Sequence, residues 1–173
     1  MEQAHSIQTE APHPARRKVS EIAGEFESAM LITHAPGGRL HARPMSIVKV
    51  EPEALLWFAT RWQSTKVEEL NADHHVLVVM QSAIRNLSIS CRARIIRDPH
   101  LAEELWSEGL RLWFRGPNDP ELALILVEPE EAEYWVMSGA SWVKLALEAV
   151  KAYVRDEPLP GPELPGQHEK LVL

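Results

Sequence analysis

The sequence predicts a mainly β protein, a small closed or split barrel of six antiparallel strands with three or four helices at its margins. Three observations support this fold class. Strand-like segments follow one another through short turns, which favours antiparallel neighbours. The regular alternation of strand and helix that a parallel sheet needs is absent. Many short strands with a few peripheral helices are typical of a small barrel.

The first three strands are predicted to form a meander. Residues 30–34 and 40–50 are rich in apolar side chains and lie on either side of Gly37 and Gly38. Paired glycines adopt positive φ at little cost, so these two segments should form a hairpin. A short acidic turn then leads into a third strand over 54–60.

Three further strands are predicted in the second half of the chain. Residues 75–80 form a short apolar segment, and residues 86–96 alternate apolar and polar side chains, as in a strand with one buried face. Residues 122–137 supply a last long strand or a bulged pair. An acidic run within this last segment is predicted as a solvated turn: Glu128, Glu130, Glu131 and Glu133.

Helices are predicted between and after these strands. Thr65 and Glu68 have the spacing of a capping box, which indicates the start of a helix. Asp98 followed by a proline predicts a second helix N-terminus. Leu101, Leu105 and Trp106 continue this helix, and the segment 116–120 breaks it. Helical spacing of apolar residues predicts two more helices, over 15–28 and 141–154.

The size and composition of the chain fit one globular domain. Its 173 residues are enough to bury a core, and 45% hydrophobic with 25% charged residues is an ordinary globular balance. We expect a disordered N-terminal tail over 1–14 and a barrel domain over 15–156. A proline-rich tail without regular structure is expected over 157–173.

The charge and the apolar runs argue against two classes of partner. A net charge of −7 disfavours nucleic acid, because a nucleic-acid-binding surface must be basic. The longest apolar runs span about five residues, against ~20 for a membrane-spanning helix.

The N-terminus has no apolar signal segment, and the single cysteine, Cys91, is predicted to be a buried, inert thiol. We therefore expect a cytoplasmic protein.

One candidate binding segment lies where the third strand ends. A short loop follows Thr60, and a helix then begins with Ser64, Thr65 and Lys66. Helix N-termini present free N–H groups, hydroxyls donate to phosphate oxygens, and lysine adds a positive charge. The segment therefore suits a phosphate group, although an ordinary N-cap beside a solvated lysine would carry the same residues.

A second candidate is the strand segment around Arg43, Pro44 and Met45. Proline removes a donor from the ladder, so Pro44 predicts an edge, a bulge or a departure from the sheet, where backbone groups could meet a ligand. An edge strand with a solvent-facing arginine is the alternative. Trp106 and Trp113 lie seven residues apart on the predicted helix, so they should share a face that is core, a subunit interface or a cover for a flat ligand.

Other chemistries find little support in the sequence. His74 and His75 are adjacent, and adjacent side chains of a strand point apart, so we predict no shared metal. No histidine, cysteine and carboxylate cluster has zinc spacing, and no P-loop or dinucleotide fingerprint is present. We assign no side chain as a general acid or base, so the catalytic residues stay unknown.

Taken together, the segments resemble the pyridoxamine 5'-phosphate oxidase-like flavoproteins with the FMN-binding split barrel. The most similar branch is the bacterial general stress protein 26 family, and the resemblance covers roughly residues 16–156. The matching segments are 29–33, 38–45, 56–60, 64–70, 90–94, 105–106, 113–114, 116–120 and 133–135.

This resemblance implies a homodimer with two FMN sites at the subunit interface. It implies that the flavin ring is lined by Arg43, Pro44 and Met45. The ribityl chain would lie along Phe58, Ala59 and Thr60, and the phosphate would be held by Ser64, Thr65 and Lys66. Asn86 and Trp113 would reach the flavin of the partner.

The resemblance leaves several functions open. Pyridoxamine phosphate oxidases have a second basic residue where this chain has Thr65, and their C-terminal Arg and His grip the substrate phosphate. Here only His168 and Lys170 are candidates, so oxidation of pyridoxamine phosphate is not expected. The remaining hypotheses are an FMN-dependent oxidoreductase that takes electrons from a reduced nicotinamide, a non-catalytic flavin buffer or sensor, and an apo interaction domain.

Overall fold

A computed structural model describes residues 13–136 and 167–173, and these residues form an antiparallel β-barrel with short helices around it. The elements in chain order are α1 (Pro14–Ala23), β1 (Ser28–Ala35), β2 (Arg39–Val50), β3 (Leu56–Arg61), α2 (Thr65–Ala72), β4 (His75–Gln81), β5 (Arg85–Ile96), α3 (Pro99–Glu104), a 3₁₀ helix (Glu108–Leu112), β6 (Leu122–Val136) and β7 (Gln167–Val172). Among these helices, none is long and apolar enough to cross a membrane.

Six of the strands close on themselves. The hydrogen-bonded order is β3-β2-β1-β4-β5-β6-β7, and an additional pairing of β3 with β6 joins the two sides of the barrel. All pairings are antiparallel. The predicted fold class, a six-stranded antiparallel barrel with peripheral helices, is therefore confirmed.

The barrel has an inner and an outer apolar cluster. The inner cluster fills the barrel with side chains such as Leu31, Phe58 and Ile89, each fully buried. The outer cluster packs α3 and the 3₁₀ helix against β3 and β6. β6 contributes alternate residues to the two clusters, with Ile125 inside and Leu124 outside, so both of its faces are buried.

The helix boundaries differ from the predictions. α1 ends at Ala23, well before residue 28. The predicted capping box is wrong, because the N-cap of α2 is Ser64 and Thr65 is the first helical residue. Asp98 does cap α3 by accepting two backbone N–H groups, but the helix ends at Glu104, well before the predicted break at 116–120.

The end of the barrel also differs from the predictions. The acidic run is no turn, because it lies within the single strand β6, where Arg92 pairs with Glu130 and Arg94 with Glu128. The expectation that regular structure ends in the proline-rich tail is wrong for β7, which pairs with the second half of β6. The helix predicted over 141–154 lies outside the described residues.

Candidate functional site

A cleft opens on the side of the barrel where β2 and β3 separate. The pairing of β3 with β2 ends at Phe58, whereas its continuation, Ala59 to Arg61, pairs with β6. β2 stays paired with β1 through this stretch, with Pro44 opposite Met30. Of the three predicted alternatives at Pro44, an edge, a bulge or a departure from the sheet, the structure shows a local edge: β2 has β1 as its neighbour there and no pairing with β3, so the missing N–H costs no ladder bond.

The segment over 107–114 forms one wall of this cleft, which has a volume of about 600 Å³. Leu110 and Phe114 anchor the segment in the outer apolar cluster. Leu112 and Trp113 line the cleft and remain 82% and 63% exposed. The cleft is in the size range of small-molecule sites, and apolar side chains supply much of its lining.

One end of the cleft is polar and positively charged. The Nζ of Lys66 donates to the Oγ1 of Thr60 at 3.0 Å, and this oxygen lies 3.3 Å from the Oγ of Ser64. Ser64 makes no side-chain hydrogen bond to the backbone of α2, so its hydroxyl is not used as a helix cap. Burial lowers the pKa of Lys66, and the nearby charge of Arg43 lowers it further. Lys66 is therefore half-buried and hydrogen-bonded within the fold, unlike a fully solvated lysine.

A buried carboxylate lies behind this end of the cleft. Glu69 of α2 accepts from the Oγ1 of Thr33 at 2.6 Å and from the Nη2 of Arg43 at 2.7 Å, and its other oxygen lies 2.6 Å from the Nδ1 of His41. Burial raises the pKa of Glu69, but the hydrogen bonds from Thr33, Arg43 and His41 outweigh it and lower the pKa to about 2. Glu69 is therefore ionised at neutral pH.

Arg43 is left with one hydrogen-bonding group unused. Its Nη2 is bound to Glu69, yet among the buried side-chain polar atoms that the structure describes its Nη1 is the one without a partner. An unpaired buried donor is costly, and native proteins rarely leave one. Its partner Glu69 lies three residues after Lys66 on α2, and the charge of Arg43 lowers the pKa of Lys66, so a second cation lies behind this end of the cleft.

The structure brings together most, but not all, of the predicted site residues. Seven of them line the cleft: Pro44, Met45, Ala59, Thr60, Ser64, Lys66 and Trp113. Arg43 does not line the cleft; it precedes the lining residue Pro44, and its side chain is bound to Glu69, which lies three residues after Lys66 on α2. The side chain of Phe58 points into the barrel core. Thr65 is exposed and Asn86 lies on β5, and neither lines the cleft.

The two tryptophans do not share a helix face as predicted. α3 ends before Trp106, which packs against the outer cluster, and Trp113 follows the separate 3₁₀ helix. Trp113 lies on the cleft of its own chain, which is at odds with the expectation that it covers the flavin of a partner. Four polar lining residues were missed: Glu27, Ser46, Arg61 and Ser107. The sequence offered a signal for two of them, because Ser46 directly follows Met45 and Arg61 directly follows Thr60.

Two other sequence predictions concern His75 and Cys91. The expectation that the rings of His74 and His75 point apart is wrong, because β4 begins only at His75 and the ring centroids lie 4.3 Å apart. Together with Asp73 they form the one group of possible metal ligands among the described residues, but Asp73 already accepts from the backbone and ring of His75.

Cys91 is buried as predicted, and burial raises the pKa of its thiol.

The fold and the cleft together define a class of protein, the split-barrel proteins in which a ligand cleft lies between diverging strands. The chain belongs to the pyridoxamine 5'-phosphate oxidase-like family, whose model matches residues 14–159. It is similar to general stress protein 26 of Bacillus subtilis (strain 168), with 23% identity over 121 residues, which cover 67% of this chain and 84% of the relative.

Solved structures with the same fold include two general stress proteins. General stress protein 26 from Bacillus anthracis str. Sterne is 23% identical, with a TM-score of 0.62 over 69% of this chain and 92% of that chain. The general stress FMN/FAD binding protein from Xanthomonas citri is 25% identical, with a TM-score of 0.61 over 72% of this chain and 90% of that chain.

Proposed function

We propose that this chain binds FMN in the cleft between β2 and β3 and acts as a flavin-dependent oxidoreductase on a small molecule. The observation that carries this proposal is the unpaired Nη1 of Arg43 behind one end of a largely apolar cleft. The carboxylate that holds Arg43, Glu69, lies three residues after the lining residue Lys66 on α2. A buried guanidinium with a free donor next to a second cation calls for an anion. The chain is similar to a general stress FMN/FAD binding protein, and this similarity supports the phosphate of a flavin nucleotide as the anion.

The residues present fit the parts of FMN. Lys66, Arg43 and the hydroxyls of Thr60 and Ser64 would hold the phosphate, because cations and hydroxyl donors suit a terminal dianion. This assigns Arg43 to the phosphate rather than to the flavin ring. Met45 and Trp113 supply apolar and aromatic surface for a flat ring farther along the cleft.

The chemistry of this site would come largely from the cofactor. Bound FMN would supply the hydride chemistry that amino-acid side chains lack. The chain's own residues would bind and orient it: the cations neutralise the phosphate, and the segment over 107–114 limits the access of water to one side of the cleft. Glu27 is the carboxylate among the lining residues, and we assign it no role.

We further propose a homodimer that covers this site. Leu112 and Trp113 are large apolar side chains that stay mostly exposed at the wall of the cleft. Tight sites bury ~70–90% of a ligand, more than an open cleft of one small barrel provides. A second copy packed over this wall would bury both residues and, by two-fold symmetry, would give two equivalent sites.

Pyridoxamine 5'-phosphate should be a poor substrate. His168 contacts Glu133 at 2.7 Å and stacks on Trp135, and Lys170 pairs with Glu131, so both candidate phosphate-gripping residues are engaged on the outside of β6. On β6 they lie opposite Trp135 and Glu133, about 30 Å or more along the strand from the residues that pair with Ala59–Arg61 of the cleft. Efficient formation of pyridoxal phosphate by the FMN-loaded protein would contradict this.

The test of the proposal starts with the visible spectrum of the protein as purified and a titration with FMN, FAD and riboflavin. We expect FMN to bind more tightly than riboflavin, because only FMN carries the phosphate. Failure to bind any flavin would refute the proposal, and a preference for FAD would correct the cofactor. Bleaching of the bound FMN by a reduced nicotinamide, with reoxidation by an added acceptor, would support turnover. A flavin that stays oxidised would favour a buffer or sensor.

A further inference from the structure

We propose that Glu69 is a positioning residue that fixes Arg43 for the phosphate of the ligand. This inference rests on the proposed function, since it concerns the same end of the cleft. Glu69 is a carboxylate with a side chain only 2% exposed, and it bonds to residues of two different strands, Thr33 on β1 and Arg43 on β2. Glu69 is not among the residues that line the cleft, so it would act through Arg43.

The division of hydrogen bonds explains how Glu69 would act. The Oε2 of Glu69 accepts hydrogen bonds from the Nη2 of Arg43 at 2.7 Å and from the hydroxyl of Thr33 at 2.6 Å. Its Oε1 lies 2.6 Å from the Nδ1 of His41. The carboxylate is thus itself held by two strands and holds only one nitrogen of the guanidinium. The second nitrogen, Nη1, is kept buried and unpaired in a fixed orientation. A guanidinium is planar, so fixing Nη2 also fixes the direction in which Nη1 can donate.

Two physical effects of Glu69 on an anion have opposite signs. As a negative charge near Arg43 and Lys66 it repels phosphate, so its neutralisation should tighten binding if charge alone matters. As an anchor it keeps Arg43 in place, so its neutralisation should weaken binding if position matters. The short contacts and the fully enclosed carboxylate favour the anchor, because Arg43 would otherwise have to be ordered at the moment of binding.

The experiment compares FMN and riboflavin affinities in Glu69→Gln, with Glu68→Gln as the matched control on the same helix. Glu68 is exposed. We expect Glu69→Gln to weaken FMN about tenfold and to leave riboflavin unchanged, whereas Glu68→Gln should change neither. Since loss of a buried anchor can impair folding, Glu69→Asp, which keeps the charge but shortens the reach, should show a smaller loss of the same kind.

A double-variant cycle separates positioning from a general structural role. In an Arg43→Met background, Glu69→Gln should no longer alter the ratio of FMN to riboflavin affinity. An equal loss of both flavins, or a loss of the same size in that background, would overturn the inference, as would tighter FMN binding by Glu69→Gln. If the wild-type chain itself does not prefer FMN over riboflavin, the proposed function fails first, and this outcome is distinct from the others.

Discussion

Replacing Lys66 by methionine should remove the lysine's share of phosphate binding and leave the other proposed phosphate contacts, Arg43, Thr60 and Ser64, in place. Methionine keeps most of the half-buried side-chain stem and removes only the ammonium group, which lies 3.0 Å from Thr60. A hydrogen bond to a charged group contributes about 1.5–3 kcal/mol. FMN should therefore bind roughly 10- to 150-fold more weakly, while riboflavin should bind as to the wild type.

Quenching of flavin fluorescence during titration measures both affinities on the same protein. Thr65→Ala is the control, because the sequence predicted Thr65 at the phosphate whereas the structure shows it exposed and outside the cleft lining. An unchanged FMN affinity in Lys66→Met, or an equal loss of riboflavin, would refute the assignment of Lys66. A large effect of Thr65→Ala on FMN alone would show that the phosphate lies at the other side of the helix start.

Three further predictions concern assembly and stability. FMN should shift a dilution series in sedimentation towards the dimer, whereas a monomer that holds FMN tightly at all concentrations would contradict the dimer proposal. Ala54 is fully buried at a φ of 60°, so in urea unfolding Ala54→Val should cost about 2 kcal/mol or more and Ala54→Gly much less; equal losses would contradict the strain argument. Because the folded pKa of Glu69 is about 2 against an ordinary 4.5, its ionised form stabilises the fold above pH 4.5, and this gain should disappear as the pH falls towards 2. The difference in unfolding free energy between wild type and Glu69→Gln should shrink over the same range, and a constant difference would contradict it.

Much of the barrel could be predicted because strands and turns leave local signals. The glycine pair after β1 has positive φ at both positions, as the hairpin prediction requires. The alternation over β5 corresponds to a strand with one buried face. The prediction was weaker for β6, because both of its faces are buried in its first half and charged partners pair along its second half. Neither half shows the simple alternation of an exposed strand.

In the candidate site, too, the contacts between residues close in sequence could be predicted, and those between distant residues could not. Thr60, Ser64 and Lys66 could be found because they are close in sequence and meet at a strand end and a helix start. The environment of Arg43 could not, since the bonds from Thr33, His41 and Arg43 to Glu69 span 36, 28 and 26 residues. Phe58 was misassigned to the cleft because its neighbours Ala59 and Thr60 do line it, while strand alternation directs Phe58 inward.

The position of Trp113 changes what a second subunit would contribute. The resemblance implied that Trp113 reaches the flavin of a partner, but the segment over 107–114 is anchored in the outer cluster of its own chain by Leu110 and Phe114. What remains for a partner is the outward side of this wall, where Leu112 and Trp113 are exposed. A dimer formed there would stabilise the wall rather than replace it. Trp113→Ala should then weaken both flavin binding and dimerisation, whereas Leu112→Ser should weaken dimerisation more than it weakens flavin binding at saturating protein concentration.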